Sequence, residues 1–197
     1  MGILSCNPLI IGIGFLLVEP TQFRCKNHLT GIWEACHKDQ VCNEFGGDRS
    51  LYYAVTEAPD FIYNWTLKFD LICTPKMSIG CIGLAYFLGV TLASVAIIPM
   101  SDNYGKKDVF CLFLLLSFIG QVAIAFWADG LLKALLCMFI IGLSWPGKRV
   151  VGLSYILDFF AEKYRNNKIM WLNILDFPSL LILSLSYQYL YRTWLTQ

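Results

Sequence analysis

The chain has 197 residues, 57% hydrophobic and 15% charged, with a formal net charge of +1. Soluble domains run nearer half apolar and a quarter charged. The apolar excess here is gathered in blocks, which excludes an ordinary soluble fold whose helices carry polar faces. With 15 basic against 14 acidic residues and no basic stripe, nothing calls for a nucleic-acid partner.

A membrane span needs about 20 apolar residues at 1.5 Å rise each. In chain order the first block is 1–19, with the apolar run "GILSCNPLIIGIGFLLV". No Lys or Arg precedes Arg24, and "VEPTQF" is a poor cleavage site, so a first membrane helix is favoured over a secretory signal. Residues 20–76 form the one long loop. Residues 77–100 and 109–128 contain no charged side chain and predict two spans, joined by the polar connection 101–108, "SDNYGKKD". A fourth span is expected at 131–159, apolar apart from Lys133, Lys148, Arg149 and Asp158. After the connection 160–168, a fifth covers 169–191 with one charge, Asp176. Residues 192–197 then begin a further connection. The expectation is an all-α, multi-pass integral membrane protein with about five transmembrane helices, in a plasma membrane or endomembrane.

Positive residues in short loops favour the cytosol. Lys106 and Lys107 in one connection and Lys163, Arg165 and Lys168 in another fall on one face, and 20–76 then faces the lumen or the outside. Cys25, Cys36, Cys42 and Cys73 lie in that loop or at its edge. On an oxidising face they predict two disulfides, with three pairings open. Cys6, Cys81, Cys111 and Cys137 are scattered singly in the spans and read as small apolar fillers. "NWT" makes Asn64 a glycosylation acceptor on the same side. "CHKDQVC", with His28 and His37, fits no common zinc spacing, and no metal or other cofactor is expected. No catalytic constellation stands out, so the chain is not read as an enzyme.

Charges inside the spans are costly, roughly 2.5–3.5 kcal/mol each at a helix centre. Lys148 and Arg149 lie about as deep as Asp176, and Asp176 is expected to pair with one of them, either as a buried structural ion pair or, as the resemblance given below implies, at a candidate substrate or ion site. Pro146 and Pro178 predict kinks in the fourth and fifth helices. Gly80, Gly83, Gly89 and Ala93 predict close helix contact. In 101–108, Asp102 ends one helix, Lys106 and Lys107 begin the next, and Gly105 permits the turn.

"SDNYGKKDV" resembles the loop between helices two and three of the major facilitator superfamily, G-x-x-x-D-x-x-G-[RK]-[RK], with Asp102, Gly105, Lys106 and Lys107 on the pattern. Ile98 stands at its first Gly, and Lys106 where Arg is usual. "FIIGLSWPG" followed by "YILDFFAEKYR" is similar to the family's fourth helix. There Asp158 and Arg165 match an acidic residue and an Arg, and Met138 replaces a frequent Arg. "NWTLKFDLIC" before the second span and "RTWL" at 192–195 are similar to the organic cation/anion transporter branch. The resemblance implies the larger part of a six-helix N-terminal bundle with a disulfide-bearing luminal loop. Asp102, Gly105, Lys106, Lys107, Asp158 and Arg165 would then form a conformational-switch cluster.

The implied activity is transport of small organic ions by alternating access. The partners are the lipid bilayer, an organic solute, and a missing C-terminal half or partner subunit, because five spans are fewer than one half of that plan. The runner-up is a claudin-like or tetraspan-like adhesion or scaffold protein, since "GIWEAC" followed by Cys42 is similar to the claudin-type first loop.

Overall fold

The computed structural model describes residues 12–14, 16–20, 22–26, 32–43, 50, 52–55 and 64–185. In its last helix the side chains of 166, 168, 172, 173, 175–177, 179, 180, 183 and 184 lie outside that description. So do most of the first expected span, His28, and "RTWL".

The long loop folds into a small module containing a sheet, which corrects the all-α expectation. Strands β1 (Phe23–Lys26), β2 (Trp33–Cys36) and β3 (Tyr52–Ala54) pair antiparallel in the order β2-β1-β3. Successive side chains of a strand point to opposite faces. Phe23 and Cys25 accordingly turn inward, and Arg24 and Lys26 outward. The inner face packs on Val41 of helix α1 (Lys38–Asn43), and Tyr52 and Ile72 complete a small core. Two disulfides close it. Cys25–Cys36 joins β1 to β2, and Cys42–Cys73 joins α1 to the chain entering the first long helix. Of the three pairings open from the sequence, this is the one formed.

A short helix, α2 (Trp65–Lys68), links the module to the bundle. Asn64 caps it. The Asn64 carboxamide oxygen accepts from the Thr66 amide at 3.2 Å, and its nitrogen donates to the Val18 carbonyl at 2.6 Å. The residue is fully buried. The nitrogen that the glycosylation reading of Asn64 would need is enclosed and hydrogen-bonded here.

Four longer helical stretches follow. These are α3 (Lys76–Tyr104), α4 (Lys106–Phe126), α5 (Leu131–Pro146), which continues through a π-helical turn (Gly147–Val151) into α6 (Gly152–Leu157), and α7 (Glu162–Leu185). Among the described residues three segments are long and apolar enough to cross a membrane: α3, α4, and the continuous Leu131–Leu157. On α3 and α4 many large apolar side chains face outward. Phe87, Leu92, Val95 and Ile98 on α3 and Leu115 and Phe118 on α4 are all at least half exposed. Small and polar residues such as Gly89, Ala93, Ser117 and Gly120 face inward. That inversion of the soluble pattern suits a hydrocarbon surround. Thr91 and Ser94, exposed on α3, donate to the carbonyls of Phe87 and Val90 four residues back, which satisfies both hydroxyls without water.

Two expected connections are shorter than predicted. The polar run 101–108 is helical except at Gly105, whose φ of +86° ends α3 and begins α4. A polar sequence at a helix end still satisfies helical hydrogen bonds, so composition marked the interface and not the end of the helix. Likewise α7 begins at Glu162, inside the expected 160–168 loop.

Packing between α3 and α5 rests on Gly89 and Gly142. A Cβ on Gly142 would run into the Tyr86 carbonyl, and one on Gly89 into the Phe139 carbonyl. Gly80 and Gly83, expected in the same role, face open space. Pro146 immediately precedes the π-helical turn. Proline offers no amide to the ladder, and the ladder is relaid there with a wider turn.

Candidate functional site

The candidate site lies along the seam where α4 packs antiparallel on α5 and α6. At the Gly105 end the Lys106 ammonium meets the Asp158 carboxylate at 2.7 Å, a pairing of residues 52 apart in sequence. Both side chains are nearly half exposed, at 41% and 49%. Such an exposed pair contributes at most about 1 kcal/mol. It is a contact that forms and breaks easily.

Lys148 is the second lysine on the seam. It sits in the π-helical turn, only 1% exposed, and donates to the Ser117 hydroxyl of α4. Among the described residues Ser117 is its hydrogen-bond partner. Ser117 lies eleven residues along α4 from Lys106, about 16 Å at the helical rise. Lys148 lies ten residues before Asp158, about 15 Å away. The two lysine contacts therefore occupy matching registers, one at the helix ends and one deep between the helices. Phe113 and Val151 are buried together between them.

Lys148 turns to α4, and Arg149 is half-buried one position on. Adjacent residues on a helix point about 100° apart, so the two cations face different neighbours. The expected pairing of Lys148 or Arg149 with Asp176 falls on a side chain that lies outside the description.

The remaining switch-cluster residues spread around the Gly105 end. Asp102 and Lys107 are exposed, and Arg165 on α7 is half-buried. Lys106 and Asp158 are the two members joined directly. Cys36 and Cys42, the thiols a metal site in "CHKDQVC" would need, are both in disulfides.

Comparison with protein-family models, curated proteins and solved structures found no match.

Sequence reasoning missed two participants. Ser117 is the lone hydroxyl in "VFCLFLLLSFIG", and a lone polar residue in such a run is a signal for a buried partner. Lys68, at the other end of the bundle, donates to the Ala125 and Ile124 carbonyls at 2.6 and 3.3 Å. Its signal is a single cation among apolar residues just before a span.

Proposed function

We propose that this chain carries part of a membrane transporter for small organic ions, working with a C-terminal half or a partner subunit. The observation that carries the reading is the Lys106–Asp158 contact. It joins the start of α4 to the end of α6 across one end of the bundle, at a hinge reduced to the single residue Gly105. A weak, exposed ion pair at a one-residue hinge suits a latch that must open and close once per cycle. Lys148 supplies the second element, a buried cation facing a hydroxyl along the same seam. In the open arrangement it would attract an organic anion, and that charge class is the favoured substrate. In this reading the Gly105 end is cytosolic and the disulfide module faces the lumen or the outside.

The test is uptake of a panel of labelled organic anions and cations into cells expressing the chain alone and together with a complementary half. Asp158→Asn and Lys106→Gln are each expected to lower uptake without lowering surface amount. The exchange Lys106→Asp with Asp158→Lys should recover it. Uptake that never exceeds background in any assembly, or single variants equal to the parent, would reject the proposal.

The adhesion reading draws on one observation. Trp33 and Tyr53 form an exposed edge-on aromatic pair, centroids 4.9 Å apart, on the sheet. Cell aggregation dependent on Trp33, with no uptake, would favour that reading.

A further inference from the structure

Residues 64–71 lie at the sheet end of the bundle as a wedge. Trp65, Phe69 and Leu71 are buried in one core with Tyr86 of α3, Ile124 of α4 and Cys137 of α5. The wedge is bolted by Lys68, whose ammonium caps the last turn of α4 through the Ile124 and Ala125 carbonyls. Those carbonyls have no partner inside their own helix, and a cation there also meets the negative end of the helix dipole.

The seated wedge stores tension at two points. The Thr66 hydroxyl is buried without a hydrogen-bond partner among the described residues. Asp70, at the far end, takes φ of +57°, the left-handed region that costs a residue with a Cβ. Burial also lowers the Lys68 pKa, against the pull of the Asp129 carboxylate. An element seated by apolar contact and a lysine cap, yet carrying an unsatisfied hydroxyl and a strained backbone, is built to lift.

We propose that residues 64–71 are a lid over the sheet end of the α3–α4–α5 core, hinged near Asp70 and latched by Lys68 onto α4, and that lifting it uncovers Cys137. This inference needs the helical bundle but not the transport reading, so either can fail without the other.

Cys137 is a free, fully buried thiol and serves as the reporter. The full chain is placed in lipid nanodiscs with Cys6→Ser, Cys81→Ser and Cys111→Ser, the disulfides kept intact. A hydrophilic maleimide then labels Cys137, followed by mass spectrometry. Lys68→Met is expected to speed labelling about tenfold or more, the scale of losing a charge-assisted hydrogen bond. Lys68→Arg should leave it slow, and Thr66→Val, which removes the unsatisfied hydroxyl, should slow it further. An Ala93→Cys reporter in a Cys137→Ser background watches the deep seam, where Ala93 is buried, and should stay unlabelled throughout. Equal rates in Lys68→Met and the parent would overturn the lid. So would labelling of the Ala93→Cys reporter that rises in parallel, because the whole bundle would then be opening.

Discussion

Lys148 donates to the Ser117 hydroxyl about 15 Å along the seam from the Gly105 end, with both residues buried between the helices. A buried ammonium with a neutral partner is unequal in its dependence. Removing the acceptor strands the charge, whereas removing the charge leaves a small hydroxyl that can turn to its own helix backbone. Ser117→Ala is therefore expected to destabilise by about 1.5–3 kcal/mol. Lys148→Met should be neutral or stabilising, as when buried charges are exchanged for apolar residues of similar volume. The double variant should resemble Lys148→Met alone. Thermal unfolding in detergent measures all three. If Asp176 held Lys148 instead, Ser117→Ala would be silent and Asp176→Asn would carry the loss.

The glycines separate into two groups with opposite expected outcomes. Gly89→Ala and Gly142→Ala place a methyl against backbone carbonyls that cannot yield, and each should cost about 1–3 kcal/mol. Gly80→Ala and Gly83→Ala face open space in α3 and should gain up to about 1 kcal/mol from helix propensity. Gly105→Ala has room for its methyl but not the backbone conformation, and should cost about 1–2 kcal/mol. Ranking the five by thermal shift tests the packing directly.

How much of this was legible in the sequence follows from what each signal encodes. Charge-free runs mark apolar surroundings, so 77–100 and 109–128 located α3 and α4. They did not mark helix ends, because the polar residues of "SDNYGKKD" continue both helices up to Gly105. Cysteine number and side predicted two disulfides, but pairing depends on β1 and β2 lying side by side, which no count reveals. Small residues predicted helix contact without saying which face turned inward, so Gly89 was right and Gly80 and Gly83 were not. Lys148 was recognised as needing a partner. Ser117 was not named for it, because depth can be counted along a sequence and rotation between helices cannot.

The Lys106–Asp158 pair is expected to matter little to stability. Asp158→Asn should shift the unfolding midpoint by the equivalent of less than about 1 kcal/mol. The small difference should shrink further as salt rises from low to physiological levels, since exposed charges are screened over about 8 Å at 0.15 M. A loss of several kcal/mol would mean that the pair is a structural pin and unsuited to a latch.

The two disulfides should differ in worth. Cys42–Cys73 closes a separation of 31 residues and Cys25–Cys36 one of 11. Chain-entropy arguments give about 3–4 kcal/mol for the first and about 3 kcal/mol for the second. Only the first ties the module to the start of α3. Cys42→Ser with Cys73→Ser is expected to loosen the module from the helices as well as destabilise it. Cys25→Ser with Cys36→Ser should open the sheet alone. Limited proteolysis followed by mass spectrometry distinguishes the two patterns, with cleavage between 64 and 75 confined to the first pair of variants.

Lys68 gives a pH dependence of definite sign. Burial is the larger influence on its amine and lowers its pKa below the ordinary 10.5, with the Asp129 carboxylate pulling the other way. Between the folded pKa and 10.5 the unfolded chain holds the proton and the folded chain does not. Unfolding then takes up a proton, and stability rises with pH through that window. Below the folded pKa both states are protonated and the contribution is flat, at its least favourable level. The neutral amine still has two hydrogens for the Ile124 and Ala125 carbonyls, so the cap survives loss of the charge. The expected outcome is a difference in unfolding temperature between the parent and Lys68→Met that grows in the parent's favour as pH approaches 10.5. A difference that falls over that range would mean that the charge, and not the hydrogen-bond geometry, holds α2 to α4.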